Sequence, residues 1–378
     1  MDYDFTEAEF AFFADIEERI KGNGSLDALE CKGASGDAGH IRRLLGALAD
    51  TEYLKLGVEP VEGLSGHLAL MGAMEVFADI SPSAYLSVEA SARLFGRAVS
   101  RWAGPEQKKR YLEPVLAGNA LGALALSEAS MNIENDPLAT TGEKHGDSVI
   151  VNGAKQYVIN APVADWIAAA GVCRGHHALF VIEKETPGLM IDPWLETMGY
   201  QGTPISGVTL DNCEIPADRV IYPEQDLNMP AAVRMWENQV LLGASLGLAK
   251  TAFDSARDYA KHHKSGGRPV IAYQEVGFKL AEMLTMMQTS RLLAYRAAWS
   301  LESEPAESDG LIMCAKVFCT ESCERICSEA LKILSASGYI HGSPAERAYR
   351  CAKFGQIAGT STEIARMKIG DAALGYRN

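Results

Sequence analysis

The sequence predicts an α+β protein that is mainly α: an N-terminal all-helical domain, a small β-barrel or sandwich in the middle, and a C-terminal four-helix bundle. Two observations carry that prediction. Apolar residues recur at helical spacing from Phe5 to about Gly118 and again from Pro230 onward, whereas the stretch between breaks into short β-branched runs separated by Gly, Pro, Asn and Asp. A length of 378 residues also exceeds one ordinary core, so two or three domains are expected, drawn here at 1–120, 121–225 and 226–378.

The first helix opens on Thr6 and Glu9, a capping-box pair, with Phe10, Phe13, Ile16, Glu17 and Ile20 as a mixed stripe behind it. Gly22-Asn23-Gly24-Ser25 ends it, and Asp27 to Ser35 reads as a loop. Helices follow at His40 to Thr51, Gly66 to Ala78, Pro82 to Ala103 and Pro105 to Ala117. Six strands are expected at Ala123–Leu126, Ser148–Asn152, Gln156–Asn160, Asp165–Val172, Ala178–Glu183 and Ser206–Ile215. The last region reads as helices from Pro230 to Lys261, Tyr273 to Leu301, Asp309 to Ser337 and Glu363 to Leu374, with a turn at Glu302 to Ser308 around Pro305.

The helix from Pro230 organises the chain. Proline suits a first helical position, and Val233, Val240, Leu241, Ala244 and Leu248 share a face with Glu237, while Gly243, Ala244, Ser245 and Gly247 keep one side thin for close packing. A carboxylate on an apolar stripe either finds a cation or serves as a base, and the residues alone leave both open.

Composition excludes several function classes. A net charge of −14 with no basic block opposes nucleic-acid binding. No apolar run approaches the length of a membrane span, and the start Met1-Asp2-Tyr3-Asp4 is acidic where a targeting peptide is basic, so a cytoplasmic location is expected. Cys319, Cys323 and Cys327 recur every four residues. Without a C-x-x-C pair, and with no helical histidine pair near a third ligand, they read as core and no metal site is expected.

Several stretches, in order and across nearly the whole chain, resemble one family. Ala103-Gly104-Pro105-Glu106-Gln107-Lys108-Lys109-Arg110-Tyr111-Leu112, Leu126-Ser127-Glu128, Val151-Asn152-Gly153-Ala154-Lys155, Leu210-Asp211-Asn212-Cys213-Glu214-Ile215-Pro216, Glu282-Met283, and Ala352-Lys353 followed by Gly359-Thr360-Ser361 are similar to the acyl-CoA dehydrogenases. The resemblance implies the same three-domain architecture, FAD as cofactor, and oxidation of an acyl-CoA thioester to the enoyl-CoA. A base takes the α-proton while the β-hydride leaves for flavin N5. In many members the base is a Glu just before the Gly-Thr of the last segment. Here an ungapped match puts Gly359 there and a one-residue shift puts Ala358. Members acting on branched acyl groups, such as isovaleryl-CoA dehydrogenase, carry the base on the first long C-terminal helix ahead of a Gly-rich stretch. Glu237, followed by Asn238-Gln239-Val240-Leu241-Leu242-Gly243-Ala244-Ser245-Leu246-Gly247, resembles that pattern. The resemblance also implies that the backbone N–H of Gly359 or its neighbour polarises the thioester carbonyl. Against that stands a plain helix start with Thr360 or Ser361 capping, and both can hold.

The cofactor positions implied are Leu126, Ser127, Tyr157, Ile159, Lys332 and Ser361, and several depart from the family's pattern. Its Gly-Ala-Gly-Ser-Asp loop becomes Ser130-Met131-Asn132-Ile133-Glu134, so that its serine is replaced by Ile133, its Trp-Ile-Thr becomes Tyr157-Val158-Ile159, its Arg-Lys-Thr-Phe-Gly becomes His263-Lys264-Ser265-Gly266-Gly267, and its Gln-Ile-Leu-Gly-Gly becomes Lys332-Ile333-Leu334-Ser335-Ala336. Two arrangements follow. Either Lys332, Lys264 and Arg268 hold the FAD phosphates in another way, or the chain supplies part of each site beside a homologous subunit, in the extreme as a non-catalytic partner. The expectation is a dehydrogenase with Glu237 as base, passing electrons to an electron-transferring flavoprotein and assembled as a homotetramer or its heteromeric equivalent, since the family's cofactor contacts come from adjacent subunits and the small-residue face from Gly243 to Gly247 suits tight packing between them. The same chemistry on an acyl group tethered to a carrier protein is the third possibility.

Overall fold

Thr6 and Glu9 form the predicted capping box: Glu9 N donates to Thr6 Oγ1 at 3.3 Å and Thr6 N donates to Glu9 Oε2 at 2.8 Å, starting helix α1 (Glu7–Gly22). Phe13, Ile16 and Ile20 of its stripe are buried and Phe10 is exposed. The computed structural model describes residues 5–24, 29–30, 39–129 and 137–375. The expected loop at Asp27 to Ser35 lies outside them apart from Leu29 and Glu30, which are buried. Helices α2 (Gly39–Ala49) and α3 (His67–Ile80) follow, then two helical stretches, α4 (82–102) and α5 (105–116). Both carry a wider π-helical section, Ala90–Gly96 in α4 and Lys108–Leu112 in α5.

The middle region forms one sheet of eight strands: β1 (Gly122–Ala125), β2 (Thr141–His145), β3 (Ser148–Ile159), β4 (Trp166–Cys173), β5 (His176–Glu183), β6 (Leu189–Ile191), β7 (Ile205–Pro216) and β8 (Val220–Ile221). Their order is β6-β7-β3-β2-β4-β5-β8, with β1 added parallel to β4. Two expected strands, Ser148–Asn152 and Gln156–Asn160, are the halves of the single strand β3. Asn152-Gly153 resembles a turn in sequence. Here Gly153 instead gives room, since a Cβ on it would stand 2.4 Å from Thr140 Oγ1. A second irregularity, between Lys155 and Val158, sets Tyr157 at φ 57. Strand β2 escapes the sequence pattern because only Gly142 of its five residues is buried, which leaves no apolar alternation to read.

The C-terminal region holds α6 (Met229–His262), a two-stranded hairpin of β9 (Lys264–Ser265) and β10 (Arg268–Pro269), then α7 (Gln274–Ser303), α8 (Pro305–Leu334), α9 (Pro344–Ile357) and α10 (Thr362–Ala373). Pro305 opens α8 rather than sitting within a turn. Helix α9 is an element the sequence reading left unassigned, capped by Ser343. Cys319, Cys323 and Cys327 are buried in the packed faces of α8. The thin face of α6 packs on α3 within the chain: a Cβ on Gly243 would lie 2.5 Å from Met74 Cβ, and one on Gly247 2.5 Å from Asp79 N. That contact takes up the face from which subunit packing was argued. Among the described residues, no helix is long and apolar enough to cross a membrane.

Candidate active site

A cavity of about 440 Å³ lies where the sheet meets the helices. Ser127, Tyr157 and Ile159 form its wall on the sheet side, and Arg234, Glu237 and Val240 of α6 form another. Leu86, Ala90 and Leu94 of α4, with Phe354 and Ile357 of α9, give it an apolar depth. The cavity closes on Ala358 and Gly359. Glu237 and Gly359, some 120 residues apart in sequence, thus meet in one space, as does the sheet-side wall.

Glu237 is half-buried, with its side chain 22% exposed. Its cation is Arg234, one turn earlier on the same helix, whose Nη1 lies 2.5 Å from Glu237 Oε2. Arg234 Nη2 also donates to Ser127 Oγ at 3.2 Å, so one guanidinium links α6 to the sheet-side wall. The neighbouring Asn238 is fully buried and clamps the turn that follows Gly359: its Oδ1 accepts from Thr360 N at 2.9 Å and its Nδ2 donates to Thr360 Oγ1 at 3.1 Å. Gly359 between these elements sits at φ 65, where a Cβ would fall 2.5 Å from Asn238 Oδ1. Only glycine fits there. Its N–H has no acceptor among the described residues, whereas the preceding Ala358 N–H is spent on Phe354 O at 2.9 Å.

Lys316 of α8 supports this turn from behind. It is fully buried and its ammonium donates to the carbonyl oxygens of Gly355 and, at 2.8 Å, Ala358. Burial pulls it down to about 7, with the nearby Glu237 charge opposing the shift and Arg234 adding to it. On the sheet side, Glu128 accepts from Lys155 Nζ at 2.6 Å and from Thr140 Oγ1 at 2.6 Å, fixing the chain beside Ser127. Desolvation of Glu128 is outweighed by these hydrogen bonds, which hold its carboxyl below the usual range, while burial lowers Lys155 to about 8.

The domain profile described as acyl-CoA dehydrogenase, middle domain, matches residues 123–213, and that of the acyl-CoA dehydrogenase C-terminal domain matches 234–374. The chain belongs to the acyl-CoA dehydrogenase family. It is 30% identical over 265 residues to benzylmalonyl-CoA dehydrogenase of Aromatoleum aromaticum, covering 69% of this chain and 70% of that one. Butyryl-CoA dehydrogenase from Megasphaera elsdenii superposes with a TM-score of 0.90 at 24% identity, over 99% of this chain and all of that one. An acyl-CoA dehydrogenase from Bacillus anthracis, solved with FAD, gives a TM-score of 0.90 at 21% identity over 98% of this chain and 67% of that one. As a member, the chain is an oxidoreductase of the acyl-CoA dehydrogenase type, with FAD as the family's cofactor.

The residues present fit the flavin ring. Tyr157 stands 68% exposed beside the apolar cavity, its hydroxyl without a partner among the described residues, and such a ring is a surface on which a planar heterocycle stacks. Of the other expected cofactor residues, Ser127 and Ile159 line the cavity and Leu126 is buried next to it. Lys332 and Ser361 do not line it: the Lys332 ammonium pairs with Glu329 at 2.5 Å, and Ser361 Oγ caps α10 by accepting from Ile364 N at 3.4 Å. Arg268 lies over the Tyr273 ring at 4.3 Å, on the hairpin that also holds Lys264. Ile133 falls outside the described residues. Sequence reasoning missed Arg234, although its i,i+3 spacing to Glu237 was a usable signal. Asn238 and Lys316 carried no such signal, because their partners lie 122 and about 40 residues away.

Proposed function

We propose that this chain carries out FAD-dependent α,β-dehydrogenation of an acyl-CoA thioester with Glu237 as the base. The observation that carries this reading is that Glu237 is the one carboxylate lining the cavity among the described residues, in the same space as a wall suited to a flavin. Ala358 and Gly359, at the family's other base position, have nothing that takes a proton. Leu126, Ser127, Tyr157 and Ile159 would hold the ring, with Lys332 and Ser361 left for the rest of the dinucleotide. When bound, FAD supplies the acceptor for the β-hydride. Glu237 takes the α-proton, and the Gly359 N–H donates to the thioester oxygen as enolate charge develops there. Asn238 and Lys316 hold that N–H in place, and the apolar walls keep water from the acyl chain. The electrons then pass to an electron-transferring flavoprotein.

The ion pair with Arg234 favours a second reading, in which Glu237 is structural and the chain is a non-catalytic partner of a related dehydrogenase. Glu237→Gln separates the two. A base lost to Gln leaves flavin content and melting temperature near wild type and slows flavin reduction in stopped flow by about 10²–10⁴-fold. Near-normal reduction with a depressed melting temperature would end the catalytic assignment. A colourless protein when the chain is expressed alone would favour the partner subunit.

A further inference from the structure

Arg234 is the only cation lining the cavity among the described residues, and its side chain is just 14% exposed. A guanidinium carries five N–H donors in a planar fork. Here Nη1 serves Glu237, Nη2 serves Ser127, and Nε makes no hydrogen bond among the described residues. The pair is neutral only while Glu237 is ionised. Once Glu237 takes up a proton, the guanidinium is left without a counter-charge against apolar walls, and an uncompensated charge in such a place is costly. A substrate group that stays negative throughout the reaction removes that cost.

Distance says where the group must be. A general base works within about 3 Å of the proton it abstracts, and Arg234 Nη1 lies 2.5 Å from Glu237 Oε2. A group that meets Arg234 is therefore borne on the α-carbon or on the atom beside it. We propose that Arg234 is a specificity-determining residue that selects acyl thioesters carrying a carboxylate at or next to the α-carbon. A carboxylate matches the planar fork by accepting two parallel N–H bonds, and it makes and breaks no bond in the dehydrogenation. This inference rests on Glu237 being the base. The thioester carbonyl is the competing acceptor for the same donors.

The test compares two CoA thioesters of equal chain length, one with a carboxylate and one with a methyl group on the α-carbon, using the FAD-loaded enzyme. The wild type is expected to favour the carboxylate in kcat/KM of flavin reduction by about 10²-fold or more. Arg234→Gln brings that ratio toward one, and Arg234→Lys, which keeps the charge without the fork, leaves it between the two. Equilibrium binding of the two thioesters, read from perturbation of the flavin spectrum, follows the same order. A wild-type ratio near one overturns the proposal without recourse to any variant. So does an Arg234→Gln enzyme that loses the same factor on both thioesters, the outcome expected if Arg234 served the carbonyl. If Glu237→Gln reduces flavin as fast as wild type, the base assignment fails and this inference with it. A normal Glu237→Gln defect with no carboxylate preference sinks the inference alone.

Discussion

Lys316 places an ammonium where water does not reach, and its titration makes a clean residue-scale prediction. In the folded chain it is pulled down to about 7 from an ordinary value of 10.5. Between those values the unfolded chain holds the proton and the folded chain has released it, so stability should rise with pH across that window, by at most about 1.4 kcal/mol per unit. Below the window both states are protonated and the slope vanishes. Denaturant unfolding of wild type and Lys316→Met at pH 7, 8 and 9 tests this, and equal slopes for the two proteins would refute it. Gly359→Ala addresses the turn that Lys316 supports. Its φ of 65 and the 2.5 Å clash with Asn238 Oδ1 should cost about 1–3 kcal/mol and slow flavin reduction. Unchanged melting and unchanged reduction would show that the turn does not need glycine. At this scale the sequence showed Glu237 through its helical face, because the 3.6-residue repeat places it beside Val233, Val240 and Leu241. The clamp from Asn238 to Thr360 was not legible, since nothing local marks a bond across 122 positions.

Contacts between elements explain which parts of the fold could be read. Helix α6 was legible end to end because Pro230 marks its start and its buried face repeats without interruption. Strand β3 was read as two because a glycine closely packed within a strand and a turn glycine look alike in sequence, and β2 was missed because a mostly exposed strand lacks the alternation that betrays one. Helix α9 went unassigned, and with it Phe354 and Ile357 at the cavity. The α3–α6 contact yields an element-scale prediction. Gly247→Ala puts a methyl 2.5 Å from the Asp79 backbone, where nothing flexible can yield, and should destabilise by about 1–3 kcal/mol. Gly277→Ala in α7, with nothing within 4 Å, should instead gain up to about 1 kcal/mol. Melting curves of the two variants should therefore move in opposite directions, and a common shift would count against the packing described.

For the whole molecule, a homotetramer is proposed on other grounds than the Gly243–Gly247 face, which α3 already covers. Phe278 and Leu292 of α7 each stand 61% exposed, apolar surface of the kind that subunits cover. Light scattering of the purified holoenzyme should give the mass of four chains, and a monomer that keeps its flavin would contradict this. The cores also differ in how they are assembled. The buried residues of the sheet core all lie between Ala123 and Val220, whereas the large helical core joins Phe13 to Ala352. During synthesis, the sheet can therefore close once β8 has left the ribosome, while the N-terminal helices wait for α6 to supply the surface that α3 packs against. Helices α1 to α3 are thus made well before the surface that covers them, and in the interval they offer amphipathic faces to whatever holdase or protease meets the nascent chain.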